Sequence, residues 1–266
     1  MNLFMDSGAF SVFSSGSVID IYQYIDFIKE HKEVITVYAN LDVIGDAEAT
    51  WRNQEIMEKH GLSPLPIYHL GDDSKYLDRC LDYDYMGVGG LAGRKASHTQ
   101  RRFFLDRCFN KLCDPDGMPK IRVHGFGMTF VVLMRRYPWY SVDSKSWLDY
   151  STYGHVIYPP EKNGDWCYSV NFNCARVSVR PYPTNKFSMV SNLNQPGKKL
   201  FDRYISEKGF VIGKSVMEGG EEVIIEPGLC NDHKLRNQLN AIYFVDFIKT
   251  LPKWPWAFQK NIKGFF

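Results

Sequence analysis

The sequence predicts an α/β protein built as a TIM-type (β/α)8 barrel with an irregular, β-containing insertion after the sixth strand. Strand-like and helix-like segments alternate at least six times, each about one βα unit apart, which is the pattern of a parallel sheet covered by helices. Polar or glycine residues fall at the strand C-termini: Asp6, Asp42, His69, Gly89 with Gly90, His124 and Asp143. A TIM barrel gathers its functional groups at that end of its strands. With 266 residues, 44% of them hydrophobic and 15% aromatic, the chain can bury one large core. The expected organisation is one domain over residues 1–266 with an insertion at about 147–197. A doubly wound open sheet is the alternative, but its ligand crevice would use fewer of the strand ends.

The elements follow in order. A short apolar run, Leu3 and Phe4, reads as a strand that stops at Asp6 and turns on Ser7 and Gly8. Residues 18–32 place Ile21, Ile25 and Ile28 at helical spacing with charges between them, an amphipathic helix. The β-branched run 34–42 ends on Asp42, and Asp46 is placed to cap a helix that stops at Gly61. A third strand over 65–68 ends at His69, and a short helix covers 74–81. The fourth, 85–88, ends in Gly89 and Gly90, where backbone can approach a ligand because no side chain intervenes. Ser97 is placed to cap a helix over 99–112. A fifth strand over 120–123 precedes His124, a helix covers 129–136, and a sixth strand over 139–142 precedes Asp143.

Beyond Asp143 the periodicity breaks down into an aromatic stretch rich in Asn and Pro, read as irregular apart from short strands at 166–172 and 176–179. Regularity returns with a helix near 198–207, a strand at 210–213 and a final helix over about 232–250. The pair Gly219 and Gly220, beside Glu218, Glu221 and Glu222, reads as a solvated turn.

Composition narrows the partners. A formal net charge of +2 neither demands nor forbids nucleic acid. The six cysteines, Cys80, Cys108, Cys113, Cys167, Cys174 and Cys230, lie far apart and follow no secretory signal, so a reducing, cytoplasmic setting with free thiols is expected, the host cytoplasm if the protein is viral. No apolar run reaches the roughly 18 residues that span a bilayer, so no membrane is expected.

The residues leave two readings open at most positions. An acid at the exit of a buried strand is costly unless it is paired or used, and Asp6 also reads as a cap for the next turn. Asp143, among Ser141, Ser144 and Ser146, has turn-like surroundings. His69 and His124 read equally as hydrogen-bonded structural histidines. The basic cluster over 94–102 reads as a phosphate contact or as a solvated helix face.

Taken together, DSGAFS (6–11), ANLD (39–42), YHLGD (68–72), VGGLAG (88–93), HGFG (124–127) and SVDSKSW (141–147) resemble, in order, the motifs of the tRNA-guanine transglycosylase superfamily. They are closest to its short DNA deazaguanine transglycosylases carried by phages and some bacteria. The resemblance covers about the first 150 residues. It implies an exchange of guanine in DNA for a 7-deazaguanine such as 7-cyano-7-deazaguanine, through a covalent glycosyl-enzyme. It implies Asp143 as nucleophile and Asp6 as the acid that manages base protons. It implies base contacts from Asp42, which suits an edge of N–H donors, from Ser7, Gly8, Gly89, Gly90, Leu91 and His69, and from His124 as a ring that stacks. His69 stands where the tRNA enzymes usually carry Gln.

Base exchange also requires the target base to leave its stack, so basic and aromatic side chains are expected around the mouth: Arg94, Lys95, Arg101, Arg102, Lys145 and Trp147. The tRNA enzymes bind zinc through closely spaced cysteines and a histidine, a set this chain lacks. Cys167, Cys174, Cys230 and His233 are the remaining ligand types, but their spacing is atypical, so no metal or other cofactor is expected. Exchange on tRNA, a non-catalytic nucleic-acid-binding barrel and an unrelated barrel enzyme are the alternatives.

Overall fold

The first apolar run folds as strand β1 (Leu3–Met5), and it pairs in parallel with β2 (Ile35–Tyr38). A computed structural model of the protein describes residues 3–9, 18–92, 96–181 and 188–258. It divides into two compact units: Met1–Met128 with Arg136–Asp143 and Lys253–Phe266, and Thr129–Arg135 with Ser144–Pro252. The predicted insertion lies in the second unit.

In the first unit, helix α1 (Ile21–Glu30) joins β1 to β2, and α2 (Ala47–Lys59) leads from β2 to β3 (Ile67–His69). Then come α3 (Ser74–Cys80), β4 (Tyr85–Gly89), α4 (His98–Leu112), β5 (Arg122–Gly125) and, after α5 (Val131–Arg136) in the chain, β6 (Ser141–Val142). Side-chain caps start these helices where the sequence placed them. Asp46 accepts from the Ala49 N–H at 2.8 Å, and Ser97 forms a capping box with Gln100. The inner face of α1, Tyr24, Ile25 and Ile28, packs on Met57 of α2 and on Leu41. Burying each such side chain stabilises by roughly 1.5–3 kcal/mol. A second apolar group stacks Phe109 of α4 on Tyr137, with Trp139 and Phe258 against them.

Strands β3, β4, β5 and β6 form a parallel sheet in that order, and a parallel bridge from Ala39 to Leu65 continues β2 onto β3. The strands therefore run in sequence order without the reversal that marks a doubly wound sheet. In a flat sheet four inter-strand steps of about 4.8 Å would set β1 and β5 roughly 19 Å apart. Instead the Phe4 ring of β1 stacks on His124 of β5 with centroids 4.2 Å apart. The sheet is rolled. Among the described residues no strand pairs with the free side of β6.

The second unit contains α6 (Ser146–Thr152), β7 (His155–Tyr158), the short pair β8 (Glu161–Lys162) and β9 (Asp165–Trp166), β10 (Asn173–Arg176), α7 (Gln195–Glu207), the hairpin β11 (Lys214–Glu218) and β12 (Glu221–Glu226), and α8 (His233–Lys249). Phe201, Tyr204 and Ile205 of α7 pack on Val156, Tyr158 and Ala175 of the β7–β10 pair. Asn240 of α8, fully buried, accepts from the Ile157 N–H at 2.9 Å and donates to the Trp147 and His155 carbonyls, tying helix to strand.

Several boundaries differ from expectation. The stretch after Asp143 is more regular than its composition suggested, since α6 and β7 lie within it. The strands expected at 166–172 and 176–179 are β9 and β10, displaced toward the N-terminus. Residues 210–213 are not a strand. The Val211 and Ile212 carbonyls instead accept from the Leu229 and Cys230 N–H groups, while Gly213, at φ +75°, runs so close to the next segment that a Cβ there would lie 2.7 Å from the Glu226 carbonyl oxygen and 2.8 Å from the Gly228 nitrogen. The strand falls immediately afterwards, as β11, and Gly219 and Gly220 make the expected turn to β12. No described helix is long and apolar enough to cross a membrane.

Candidate active site

The strand ends of the first unit converge on a group of acids and histidines. At the exit of β1, Gly8 takes a φ of +76°, a conformation suited to glycine. That turn aims the Ser7 and Gly8 N–H groups at the Asp6 carboxyl. The buried Ser7 hydroxyl accepts from the Ala9 N–H at 3.1 Å and donates to Asp42 Oδ1 at 2.7 Å, so it couples the β1 exit to the β2 exit.

Asp42 is nearly buried. Its second oxygen, Oδ2, lies 2.9 Å from His69 Nε2, and on the other side of that ring His69 Nδ1 lies 3.5 Å from Asp72 Oδ2. Asp72 also accepts the His69 backbone N–H at 3.0 Å. Burial opposes a charge on His69, but hydrogen bonds and attraction from Asp42 and Asp72 outweigh it and raise the imidazole to about 9. His69 is thus an imidazolium whose two N–H groups face two carboxylates. It braces Asp42 and has no ring nitrogen left to offer a base, which differs from the contact expected of it.

Gly89 makes room for that ring. A Cβ on Gly89 would lie 2.5 Å from His69 Cδ2, and one on Gly90, at φ +73°, would meet the Leu70 backbone at 3.0 Å. The Gly89 carbonyl accepts from the Leu70 N–H at 3.2 Å. Leu91 is fully buried and its carbonyl accepts from Arg101 Nε at 2.8 Å. The glycine loop is therefore packed on the β3 exit, with two of its carbonyls already used.

At the β5 and β6 exits, His124 is buried with Nδ1 2.7 Å from Ser141 Oγ and Nε2 3.6 Å from Asp143 Oδ1. The Tyr85 hydroxyl lies 2.6 Å from the same Ser141 oxygen. Asp143 also accepts the Gly127 N–H at 2.8 Å. One face of His124 is covered by Phe4, with Phe126 edge-on at 4.4 Å. That packing leaves His124 as a buried orienting group beside Asp143 and not the stacking platform for a base that was expected.

Comparison of the chain with protein families, curated proteins and solved structures finds no match.

The chemistry is then read from the acids themselves. Burial, followed by the charges of Asp42 and Asp143, raises the Asp6 carboxyl above the ordinary aspartate range despite the Ser7 and Gly8 N–H groups. Asp143 moves the other way. Burial alone would raise it, but the nearby His124 ring and the Gly127 N–H lower it. Both side chains meet solvent, and they lie near enough for the charge of Asp143 to act on Asp6. Opposite shifts on two neighbouring carboxyl groups are the arrangement from which acid and base roles can be divided.

The remaining expected residues are distributed as follows. Arg94 and Lys95 lie outside the described residues. Arg101 is buried against the Leu91 carbonyl, so it supports the loop and does not present its guanidinium to phosphate as expected. Arg102 is part-exposed and lies 3.6 Å from Asp106. In the second unit Lys145 is exposed at the start of α6, 3.8 Å from Asp149, and Trp147 is part-buried on that helix. Among the described residues no three His, Cys, Asp or Glu side chains are grouped to hold a metal, and all six cysteines are free.

Sequence reasoning assigned no role to Asp72, Ser141, Tyr85, Gly127 or Phe4. Asp72 had a signal, an acid three residues after His69. Ser141 and Tyr85 had none, because only strand register brings β4 and β6 side chains together beside His124.

Proposed function

We propose that this chain exchanges guanine in DNA for a 7-deazaguanine base through a covalent intermediate on Asp143. The observation that carries this reading is the opposite tuning of Asp6 and Asp143, two acids at neighbouring strand ends that act on each other. Their motifs, with those around Asp42 and Gly89, resemble in order the deazaguanine transglycosylases. The rolled sheet of parallel strands in sequence order supports a (β/α)8 barrel as the scaffold.

In the proposed reaction the Asp143 carboxylate attacks C1′ of the target deoxyguanosine. The C1′–N9 bond breaks as Asp6 passes its proton to the departing guanine. The incoming 7-deazaguanine then loses its N9 proton to Asp6. Its N9 attacks C1′, and the ester bond to Asp143 breaks. Asp42 reads the ring N–H and amino edge of either base. A carboxylate has about four lone-pair positions, and Ser7 and His69 occupy two of them. His69 acts through Asp42 as a positioning residue.

The test is incubation of the protein with labelled guanine or 7-cyano-7-deazaguanine and either DNA or tRNA. Label is expected in DNA, Asp143→Ala should lower its rate by about three orders of magnitude or more, and Asp6→Asn by roughly 10²- to 10⁴-fold. Label entering tRNA alone would move the substrate to RNA. Exchange retained in Asp143→Ala would remove the nucleophile assignment.

A further inference from the structure

The second unit holds a recess of about 460 Å³ that the proposed exchange does not use. Arg176, Arg180, Arg236 and Glu222 line it, with Asn231 and His233 at the start of α8. Arg176 and Arg236 are 7% and 6% exposed, an unusual depth for two guanidinium groups. Arg236 donates through Nε to the Ser151 carbonyl at 2.9 Å and through Nη1 to the Leu229 carbonyl at 2.6 Å, both neutral acceptors. Arg176 donates through Nη2 to the Arg180 carbonyl, and its buried Nε has no hydrogen-bond partner among the described residues. Among the described residues Glu222 is the carboxylate in the lining; it accepts from Arg180 Nε at 2.6 Å through one oxygen, while the other is buried with no described partner. Asp232, which caps α8 by accepting the Lys234 N–H, sets a further negative charge beside Arg236.

Three guanidinium groups thus stand against two carboxylates, Glu222 in the lining and Asp232 beside Arg236, so positive charge is in excess there. The neighbouring His155 registers the excess. Burial, then the charges of Arg176 and Arg236, hold its imidazole down at about 4. A buried N–H left without an acceptor costs about 1–3 kcal/mol, so the recess is built for something that supplies acceptors and negative charge. Planar guanidinium groups match the oxygens of phosphate. A phosphomonoester carries nearly two negative charges near neutral pH, whereas each diester of a nucleic-acid backbone carries one. The volume falls in the range of small-ligand sites.

We propose that this recess binds a small phosphomonoester, with its phosphate on Arg176 and Arg236 and a hydrogen-bond donor of the same ligand on the free oxygen of Glu222.

The test is calorimetric titration of the full chain with inorganic phosphate, with adenosine 5′-monophosphate and with a short single-stranded DNA lacking terminal phosphates. The proposal expects the first two to bind and the third to leave this recess empty, so that DNA does not compete with phosphate. Arg176→Lys keeps a cation but loses the fork, and should weaken both monoesters by about tenfold. Glu222→Gln removes the carboxylate charge and should tighten inorganic phosphate severalfold, an effect of opposite sign that loss of structure does not produce. Thermal melting without ligand checks that each variant folds, and Glu222→Gln decides the matter if Arg176→Lys does not. No binding of either monoester, equal affinity in wild-type and folded Arg176→Lys protein, weaker phosphate binding in Glu222→Gln, or displacement of phosphate by the DNA would overturn it.

Discussion

His69 shows how a residue gains a role its neighbours give it. In the unfolded chain its imidazole titrates near 6.5, and in the fold near 9, because Asp42 and Asp72 favour the charged ring more than burial penalises it. A folded-state value above the unfolded one means the contribution is fully present below about pH 6.5 and is lost as pH rises through about 9. The size is at most about 3–4 kcal/mol. Urea unfolding of the wild type should lose stability across that window. His69→Gln should be less stable at the lower end and flat through it; a wild-type profile that is already flat would mean His69 is not held between two carboxylates. The strand-end acids were legible in the sequence, since Asp6, Asp42 and Asp143 each stop an apolar run. What His69 and His124 do was not. Their partners, Asp72 and Ser141, are chosen by backbone turns and strand register that periodicity does not encode.

At the scale of elements, the first six strands were readable because an apolar run and a polar or glycine terminus agree at each one, with Asp46 and Ser97 marking two helix starts. The segment 210–213 misled because an apolar run bounded by glycines satisfies a strand pattern equally well when its carbonyls serve a loop. The β4 exit makes an element-level prediction. Gly89 stands where it does because the His69 ring occupies the space a Cβ would take, 2.5 Å from Cδ2. That ring is tied to two acids, so it has little freedom to yield. Gly89→Ala should cost about 1–3 kcal/mol in urea unfolding and should also lower exchange activity, because the displaced ring no longer steadies Asp42. In His69→Gln protein the same substitution should cost less. An equal cost in both backgrounds would show that the glycine is needed for some other reason. Removing the cap in Asp46→Ala, by contrast, should cost about 1 kcal/mol without touching activity.

The whole first unit is organised by the curl of its sheet, and the curl makes a prediction of its own. Asp6 belongs to the first strand and Asp143 to the sixth, so in an open, flat sheet of this strand order their charges would scarcely interact. The rolled sheet brings them near one another, and Asp143 is one cause of the raised Asp6 carboxyl, after burial and Asp42. Replacing Asp143 by Asn removes that charge and changes little in volume, so the Asp6 titration midpoint should fall toward the ordinary aspartate value while staying above it, because burial and Asp42 still act. Asp42→Asn should lower it further, its charge being the larger of the two. Carboxyl-carbon NMR titration of the folded protein reads each midpoint directly and does not depend on any substrate. An Asp6 midpoint unmoved by Asp143→Asn would place the two acids apart and would remove the physical basis for dividing proton donor and nucleophile between the first and sixth strands.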